Sequence, residues 1–174
     1  MSQLKDNMTH FITKEEIAEA VLRLAQEIEI DYHGKEVVFI APLKGSFMFM
    51  ADLVRKIEKL NHIVMDYVYL KSIKSGESVE IRKDIEVNIT DKHVIVVEEI
   101  IDAGRTLSFL LKRLSASRPA SLRVAALLDK PARREIPLKP DYVGLTIDDR
   151  YVVGYGMDSE EKGRNYSNIY SFKM

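Results

Sequence analysis

The chain contains no cysteine. That excludes a disulfide framework, a thiol nucleophile and a cysteine-type zinc site, and it fits a cytoplasmic location. It contains no run of 18 apolar residues, so no membrane-spanning helix is expected. The opening MSQLKDNMTH lacks the apolar stretch of a secretory signal. Neither sign of charge is in excess: 26 Lys and Arg stand against 27 Asp and Glu, for a net charge of −1. The strong basic bias of many nucleic-acid binders is therefore missing, and no nucleic-acid or membrane partner is expected. Internal repeats and low-complexity segments are absent as well. What remains is 174 residues, 46% hydrophobic and 30% charged. At about 150 residues per domain this is one globular domain. Such a chain buries about 70% of its extended surface and needs no disulfide or metal to hold it together.

The apolar pattern predicts a helix first. Thr13 and Glu16 form a capping box, and Ile17, Val21, Leu24 and Ile28 follow at helical spacing. Glu36 to Ala41 is a short continuous apolar run, the mark of a strand covered on both faces. A second helix is expected from Ser46 to Lys59 and a strand from Ile63 to Leu70. Segment 71–91 is polar, contains Gly76 and alternates only weakly; it is read as a long flexible loop or a hairpin, of the kind that often forms a lid. His93 to Val97 is the clearest buried strand. A helix opens at Gly104 and buries Leu107, Leu110, Leu111 and Leu114. Strands are expected at Leu122–Leu128, Tyr142–Ile147 and Tyr151–Gly154, the last two joined by an Asp148–Asp149 turn. The tail from Asp158 is polar and weakly patterned. Strands alternating with helices give an α/β fold, a mostly parallel twisted sheet flanked by helices on both faces. Ligands bind such sheets beyond the carboxyl ends of the strands.

The strongest chemical signal runs from Val94 to Leu107 (VIVVEEIIDAGRTL). A buried strand delivers two adjacent carboxylates, Glu98 and Glu99, then a third at Asp102, then a small-residue turn where a helix begins. Ala103 and Gly104 leave backbone N–H groups uncovered and Thr106 adds a hydroxyl, so the turn suits a phosphate. Glu98 and Glu99 suit sugar hydroxyls and Mg²⁺, a hard cation that prefers oxygen ligands. The pattern Gly-x-x-x-x-Gly-Lys-Ser/Thr is missing, which disfavours a P-loop nucleotidase. The competing bland reading makes Glu98 and Glu99 solvated charges and Gly104 an ordinary turn residue.

Glu98 to Thr106 (EEIIDAGRT) resembles the phosphoribosyl-pyrophosphate motif of the purine phosphoribosyltransferases, and within them the hypoxanthine-guanine phosphoribosyltransferase family in its short bacterial form. Three further segments resemble that family in the same order: Leu43-Lys-Gly-Ser46, Leu127 to Glu135 (LLDKPARRE) and Tyr151 to Asp158 (YVVGYGMD). The resemblance implies a type I phosphoribosyltransferase fold with a small hood and a mobile lid loop. It implies one domain over 1–174, with 129–174 supplying the purine-side hood. It implies an enzyme that transfers phosphoribose from phosphoribosyl pyrophosphate to N9 of a 6-oxopurine, giving IMP or GMP and pyrophosphate with Mg²⁺ as cofactor.

Residue by residue, the resemblance makes Asp102 the general acid/base near purine N7, although an Asp there also suits a helix N-cap. Glu98 and Glu99 take the ribose hydroxyls and the metal. Asp102, Ala103, Gly104, Arg105 and Thr106 form the 5′-phosphate loop. Lys44 and Gly45 take the pyrophosphate, where the family has a non-proline cis peptide before the lysine. Lys130 addresses the purine 6-oxygen, Tyr151 stacks on the base and Val152 offers backbone contacts. Asp158 lies on the purine and metal side, and Arg164 reaches the pyrophosphate. Without the resemblance Lys130 reads as a solvated lysine, Tyr151 as core and Arg164 as a tail residue. Ser72 and Ile73 begin the lid. Five positions depart from the family pattern: Glu99 stands for Asp, Ala103 for Thr or Ser, Ile73 for Tyr, and Ser159 and Gly163 for aromatics.

A regulator built on the same fold is the alternative. Its basic face would be Arg118, Arg123, Arg133 and Arg134, the only loose cationic cluster. The family's habit of forming homodimers or homotetramers finds support in Met48, Phe49 and Met50, which make the second helix apolar nearly all round.

Overall fold

The computed structural model describes residues 7–60, 62–73 and 78–172. A strand β1 (Met8–Ile12) leads to α1 (Lys14–Asp31), β2 (Val37–Leu43), α2 (Phe47–Lys56), β3 (Ile63–Ile73), β4 (Ser78–Lys83), β5 (His93–Ile101), α3 (Arg105–Ser115), β6 (Ser121–Asp129), β7 (Tyr142–Thr146), β8 (Val152–Val153) and β9 (Ile169–Phe172). Six strands form one sheet in the order β4-β3-β2-β5-β6-β7. All neighbours in it are parallel except β3 and β4.

The buried strands explain the two layers. Along β2, Val37, Phe39 and Ala41 point into one core with the apolar faces of α1 and α2. Val38 and Ile40 point into the other, with Leu107, Leu110 and Leu114 of α3. The period-two alternation of a strand thus feeds two helical layers from one run of apolar residues. Helix α1 starts as its sequence predicts: Thr13 and Glu16 form the reciprocal capping box, and Ile17, Val21, Leu24 and Ile28 are buried. Helix α2 is shorter than the expected span, ending at Lys56.

Three expectations need correction. Of the two readings of segment 71–91 the hairpin holds over its first part, where β3 runs on to Ile73 and pairs antiparallel with β4, which changes the place of the lid. Ser72 and Ile73 therefore lie in a strand and not in a loop. Gly76 and the Ser72 side chain lie outside the described part. Strands β7 and β8 are not partners across an Asp148–Asp149 turn, because β8 leaves the main sheet. It joins β9 and β1 in a separate antiparallel sheet, order β1-β9-β8. The tail after Asp158 is thus partly a strand, held between β8 and the distant β1, where Met8 pairs with Phe172, a signal no local pattern carries.

The chain order places a crevice. From β2 the chain passes through α2 to β3 on one side; from β5 it passes through α3 to β6 on the other. The helices of these two crossovers cover opposite faces. Strands β2 and β5 are paired from Val37/His93 to Ile40/Val96, and the pairing ends there while both strands continue. Their carboxyl ends splay apart at the point where strand order reverses, which is where open α/β sheets bind ligands.

Candidate active site

The crevice is a cleft of about 560 Å³. Its walls are the end of β2 and the residues after it (Pro42 to Gly45), the end of β5 and the turn into α3 (Glu98 to Leu107), Arg133 and Glu135 after β6, and Asp158 and Arg164 from the tail; Leu70 of β3 borders it. The tertiary fold thus brings together Lys44, Gly45, Glu98, Glu99, Asp102, Ala103, Gly104, Arg105, Thr106, Asp158 and Arg164.

The turn into α3 is open at its N-terminus. Gly104 is the N-cap residue, in the left-handed region at φ 85°, and no side chain caps the helix. The first N–H groups of an α-helix have no acceptor within it, so they and the helix dipole face the cleft as an anion site. The N-cap role weighed for Asp102 is not realised. Asp102 instead accepts from Arg133 Nε at 3.1 Å, and Lys130 Nζ lies 3.6 Å from its other oxygen. The stretch 130–136 is stitched to the end of β5: Lys130 N–H donates to the Ile101 carbonyl at 3.0 Å, Glu135 N–H to the Ala103 carbonyl at 3.0 Å, and Arg134 to the Asp102 carbonyl.

Glu98 and Glu99 stand side by side at the cleft floor. Burial, then the neighbouring Glu99 carboxylate, pushes Glu98 well above the usual carboxylate range. Burial pushes Glu99 to about 7; Arg164 opposes that rise and Asp158 adds to it. Among the described residues no three His, Asp or Glu side chains converge as a ready-made metal cage. A buried Glu98 and a partly buried Glu99 beside it nevertheless offer oxygen donors that fit a hard dication, which takes few protein ligands and completes its shell from substrate oxygens. Gly45 is fixed by space: a Cβ there would fall 1.8 Å from Glu99 Oε1. The Leu43–Lys44 peptide bond is cis.

Lys44 and Arg164 share an anion. Lys44 Nζ lies 3.0 Å and Arg164 Nη2 3.3 Å from the same oxygen of Glu161, and Arg164 Nη2 lies 2.7 Å from Asp158. Arg164 is no solvated tail residue; it also donates to the Gly156 carbonyl at 2.8 Å.

Three expected purine-side residues do not line the cleft. Lys130 is 5% exposed, hidden behind Asp102, which contradicts the reading of it as a solvated lysine. Tyr151 is 58% exposed, which excludes a core role; it precedes β8, and its hydroxyl donates to the Asp158 carbonyl at 3.0 Å. Val152 is buried in the small sheet. Residue-level reading missed Arg133 and Glu135 as cleft residues. Pro131 starts a 3₁₀ turn over Pro131–Arg133, and residues three apart in such a turn lie above one another, which brings Arg133 to the Asp102 that Lys130 also faces. That proline was the available signal. Glu161 was missed without any local signal.

The supposed basic face dissolves. Arg123 is paired with Asp31, Arg133 with Asp102 and Arg134 with Asp129.

A mostly parallel doubly wound sheet with an anion-binding helix start and an adjacent acidic pair at its switch point defines an α/β domain built for a phosphorylated ligand. More narrowly, the family model described as the phosphoribosyl transferase domain matches residues 10–160, and the chain belongs to that family. The hypoxanthine-guanine phosphoribosyltransferase of Streptococcus pneumoniae (strain ATCC BAA-255 / R6) is 39% identical over 162 residues, covering 91% of this chain and 89% of its own. The hypoxanthine phosphoribosyltransferase of Escherichia coli K12 is 39% identical over 172 residues, covering 95% and 96%. The crystal structure of a hypoxanthine-guanine phosphoribosyltransferase from Bacillus anthracis superposes with a TM-score of 0.90 at 46% identity, covering 95% of this chain and 97% of that one. Among the described residues no helix is long and apolar enough to cross a membrane.

Proposed function

We propose that this protein transfers the 5-phosphoribosyl group of phosphoribosyl pyrophosphate to N9 of hypoxanthine or guanine, yielding the nucleoside monophosphate and pyrophosphate in purine salvage. One observation carries the reading: an uncapped helix start and the adjacent carboxylates of Glu98 and Glu99 face the same crevice. The first suits a 5′-phosphate and the second suits ribose hydroxyls. Arg118, Arg123, Arg133 and Arg134, the cluster a nucleic-acid-binding regulator would need, are largely spent on carboxylates.

In this reading the N–H groups and hydroxyl of Ala103 to Thr106 hold the 5′-phosphate. Lys44, Gly45 and Arg164 take the pyrophosphate and stabilise the charge it gains as it leaves. Glu98 and Glu99, with substrate oxygens, would hold Mg²⁺, which when bound neutralises part of that departing charge. Asp102 stands where it can take the N7 proton of the base as N9 bonds to the anomeric carbon, and Arg133 and Lys130 hold its carboxylate in place. Lys130 is assigned the purine 6-oxygen: its ammonium, held behind Asp102, turns to the base on binding, and a 6-amino group would leave that donor unpaired, so adenine is rejected. Tyr151 offers a ring face at the rim and Val152 backbone groups. Asp158 assists through its pairing with Arg164.

The whole chain acts as one domain, with 129–174 as the purine-side hood. The hairpin segment 71–91 is the cover that keeps water from the activated sugar. The protein works in the cytoplasm as a homodimer or homotetramer. Phe49 and Met50, expected to support such a contact, are buried in the core; Phe47 of α2 and Met65 of β3, both about half exposed, support it instead. Incubation with phosphoribosyl pyrophosphate, Mg²⁺ and hypoxanthine, guanine or xanthine tests the activity. Nucleotide formed from an oxopurine and not from adenine is expected; no nucleotide from any oxopurine would overturn it.

A further inference from the structure

Helix α2 begins directly after the Lys44–Gly45 segment and carries Asp52 on its second turn. Asp52 accepts a hydrogen bond from the Tyr155 hydroxyl at 2.6 Å, across 103 residues. Tyr155 is buried, and its backbone sits in the left-handed region at φ 49°, uncommon for a residue with a side chain. Burial first, then the bond to Asp52, raises its pKa, so the phenol keeps its proton and remains a donor.

The turn around Tyr155 holds the anion-binding arginine. Tyr155 N–H donates to the Tyr166 carbonyl at 2.8 Å and Gly156 N–H to the Arg164 carbonyl at 2.9 Å; Arg164 Nη1 returns a bond to the Gly156 carbonyl at 2.8 Å. The same turn presses on the opposite wall. A Cβ on Gly156 would fall 1.9 Å from the Gly45 carbonyl oxygen, so only glycine permits this approach. A closed ring results: Asp52, down α2 to Gly45, across to Gly156, through Tyr155 and back to Asp52. Two joints of this ring are not covalent. One is the close contact of two glycines; the other is the phenol–carboxylate bond. On its far side the pair faces a second cavity of about 610 Å³, so the hydrogen bond is not buttressed by dense packing there.

We propose that Tyr155 and Asp52 are a positioning pair that sets the spacing between Lys44–Gly45 and Arg164, the two halves of the pyrophosphate site. The inference rests on the function proposed above. Neither residue touches the reacting atoms. The pair acts by holding the helix start and the arginine turn in register before the anion arrives, so that binding need not order them.

The test compares the wild type with Tyr155→Phe, Asp52→Ala and the double variant, in steady-state kinetics and in calorimetric titration with Mg²⁺-pyrophosphate. Losing this partly buried hydrogen bond is expected to raise KM for phosphoribosyl pyrophosphate and Kd for pyrophosphate about three- to tenfold in each single variant, with KM for hypoxanthine changed by less than about twofold. Asp52 also pairs with Arg55, so the double variant should be no worse than Asp52→Ala, because Tyr155→Phe removes a bond that Asp52→Ala has already removed. Asp52→Asn keeps an oxygen acceptor and should recover part of the affinity. Unchanged pyrophosphate binding in Tyr155→Phe, equal weakening of both substrates, or additive losses in the double variant would each overturn the proposal. The two readings fail separately. A wild type that binds pyrophosphate but forms no nucleotide from any oxopurine refutes the function proposed above and leaves the titration as the test of the pair. A wild type that binds no pyrophosphate refutes both.

Discussion

The ammonium of Lys44 and the carboxylate of Glu161 lie 3.0 Å apart, although 117 residues separate them in the chain. Arg164 reaches the same carboxylate oxygen. Both cations expected to take the pyrophosphate therefore already hold an anion, and an incoming pyrophosphate must displace it. Hydrogen bonds from Lys44 first, and then Arg164, hold the Glu161 carboxyl below its ordinary range, so the displaced group is a charged one.

Glu161→Gln should tighten Mg²⁺-pyrophosphate binding by about two- to fivefold, the scale of an exposed ion pair, as read by calorimetry. Weaker binding in the variant would mean that Glu161 supports the site and does not compete for it.

Asp102→Asn removes the proton acceptor while keeping the shape of the side chain. Turnover is expected to fall by about 10²- to 10⁴-fold, with pyrophosphate affinity changed by less than about threefold. Wild-type turnover in the variant would assign the proton transfer to another group.

Gly45→Ala would drive a methyl group onto Glu99 Oε1, a side-chain end that can swing away. The folded state should survive, with a thermal midpoint near that of the wild type. The acidic pair would be displaced, and KM for phosphoribosyl pyrophosphate should rise by about tenfold or more, a loss of roughly 1.4 kcal/mol. An unaltered KM would show that Glu99 does not need its observed position.

Asp66 lies within β3 and accepts from Glu86 N–H at 2.6 Å, Val87 N–H at 3.0 Å and Tyr67 N–H at 2.7 Å. Burial disfavours its charge, yet these donors outweigh burial and hold its carboxyl below the ordinary 3.8. Asp66→Asn turns an amide toward those donors and should cost about 1–3 kcal/mol. For a chain of this size that lowers the thermal midpoint by several degrees. A midpoint equal to the wild type's would remove Asp66 as the anchor of the hairpin's return.

His93 opens β5 at the amino-terminal edge of the sheet, 2.8 Å from Ser121 Oγ and edge-on to Tyr32. Burial, then the charges of Lys35 and Arg123, lowers its pKa below 6.5. The unfolded chain takes up the proton first, so stability falls as pH drops below that value. Thermal midpoints measured from about pH 7.5 to about pH 5.5 should fall less steeply in His93→Gln than in the wild type. Parallel curves would place the acid sensitivity elsewhere.

Much of this protein is legible one segment at a time. The capping box of Thr13 and Glu16, the buried run of β2 and the small-residue turn at Ala103–Gly104 are set by neighbours in sequence. Their roles follow from propensity, periodicity and helix-end electrostatics. The order of strands and helices likewise announces a sheet with a crevice at its carboxyl edge. Pairings between distant segments are not local in this way. Strand β9 exists because β1 and β8 flank it, Lys130 is buried because Asp102 meets it, and Glu161 finds Lys44 only once the tail folds across the cleft. The sequence by itself determined the helices, the buried central strands, the acidic pair and the phosphate turn, because those depend on chemistry within a few residues. Only the tertiary structure decided which charges face one another, because that depends on where distant backbone is brought.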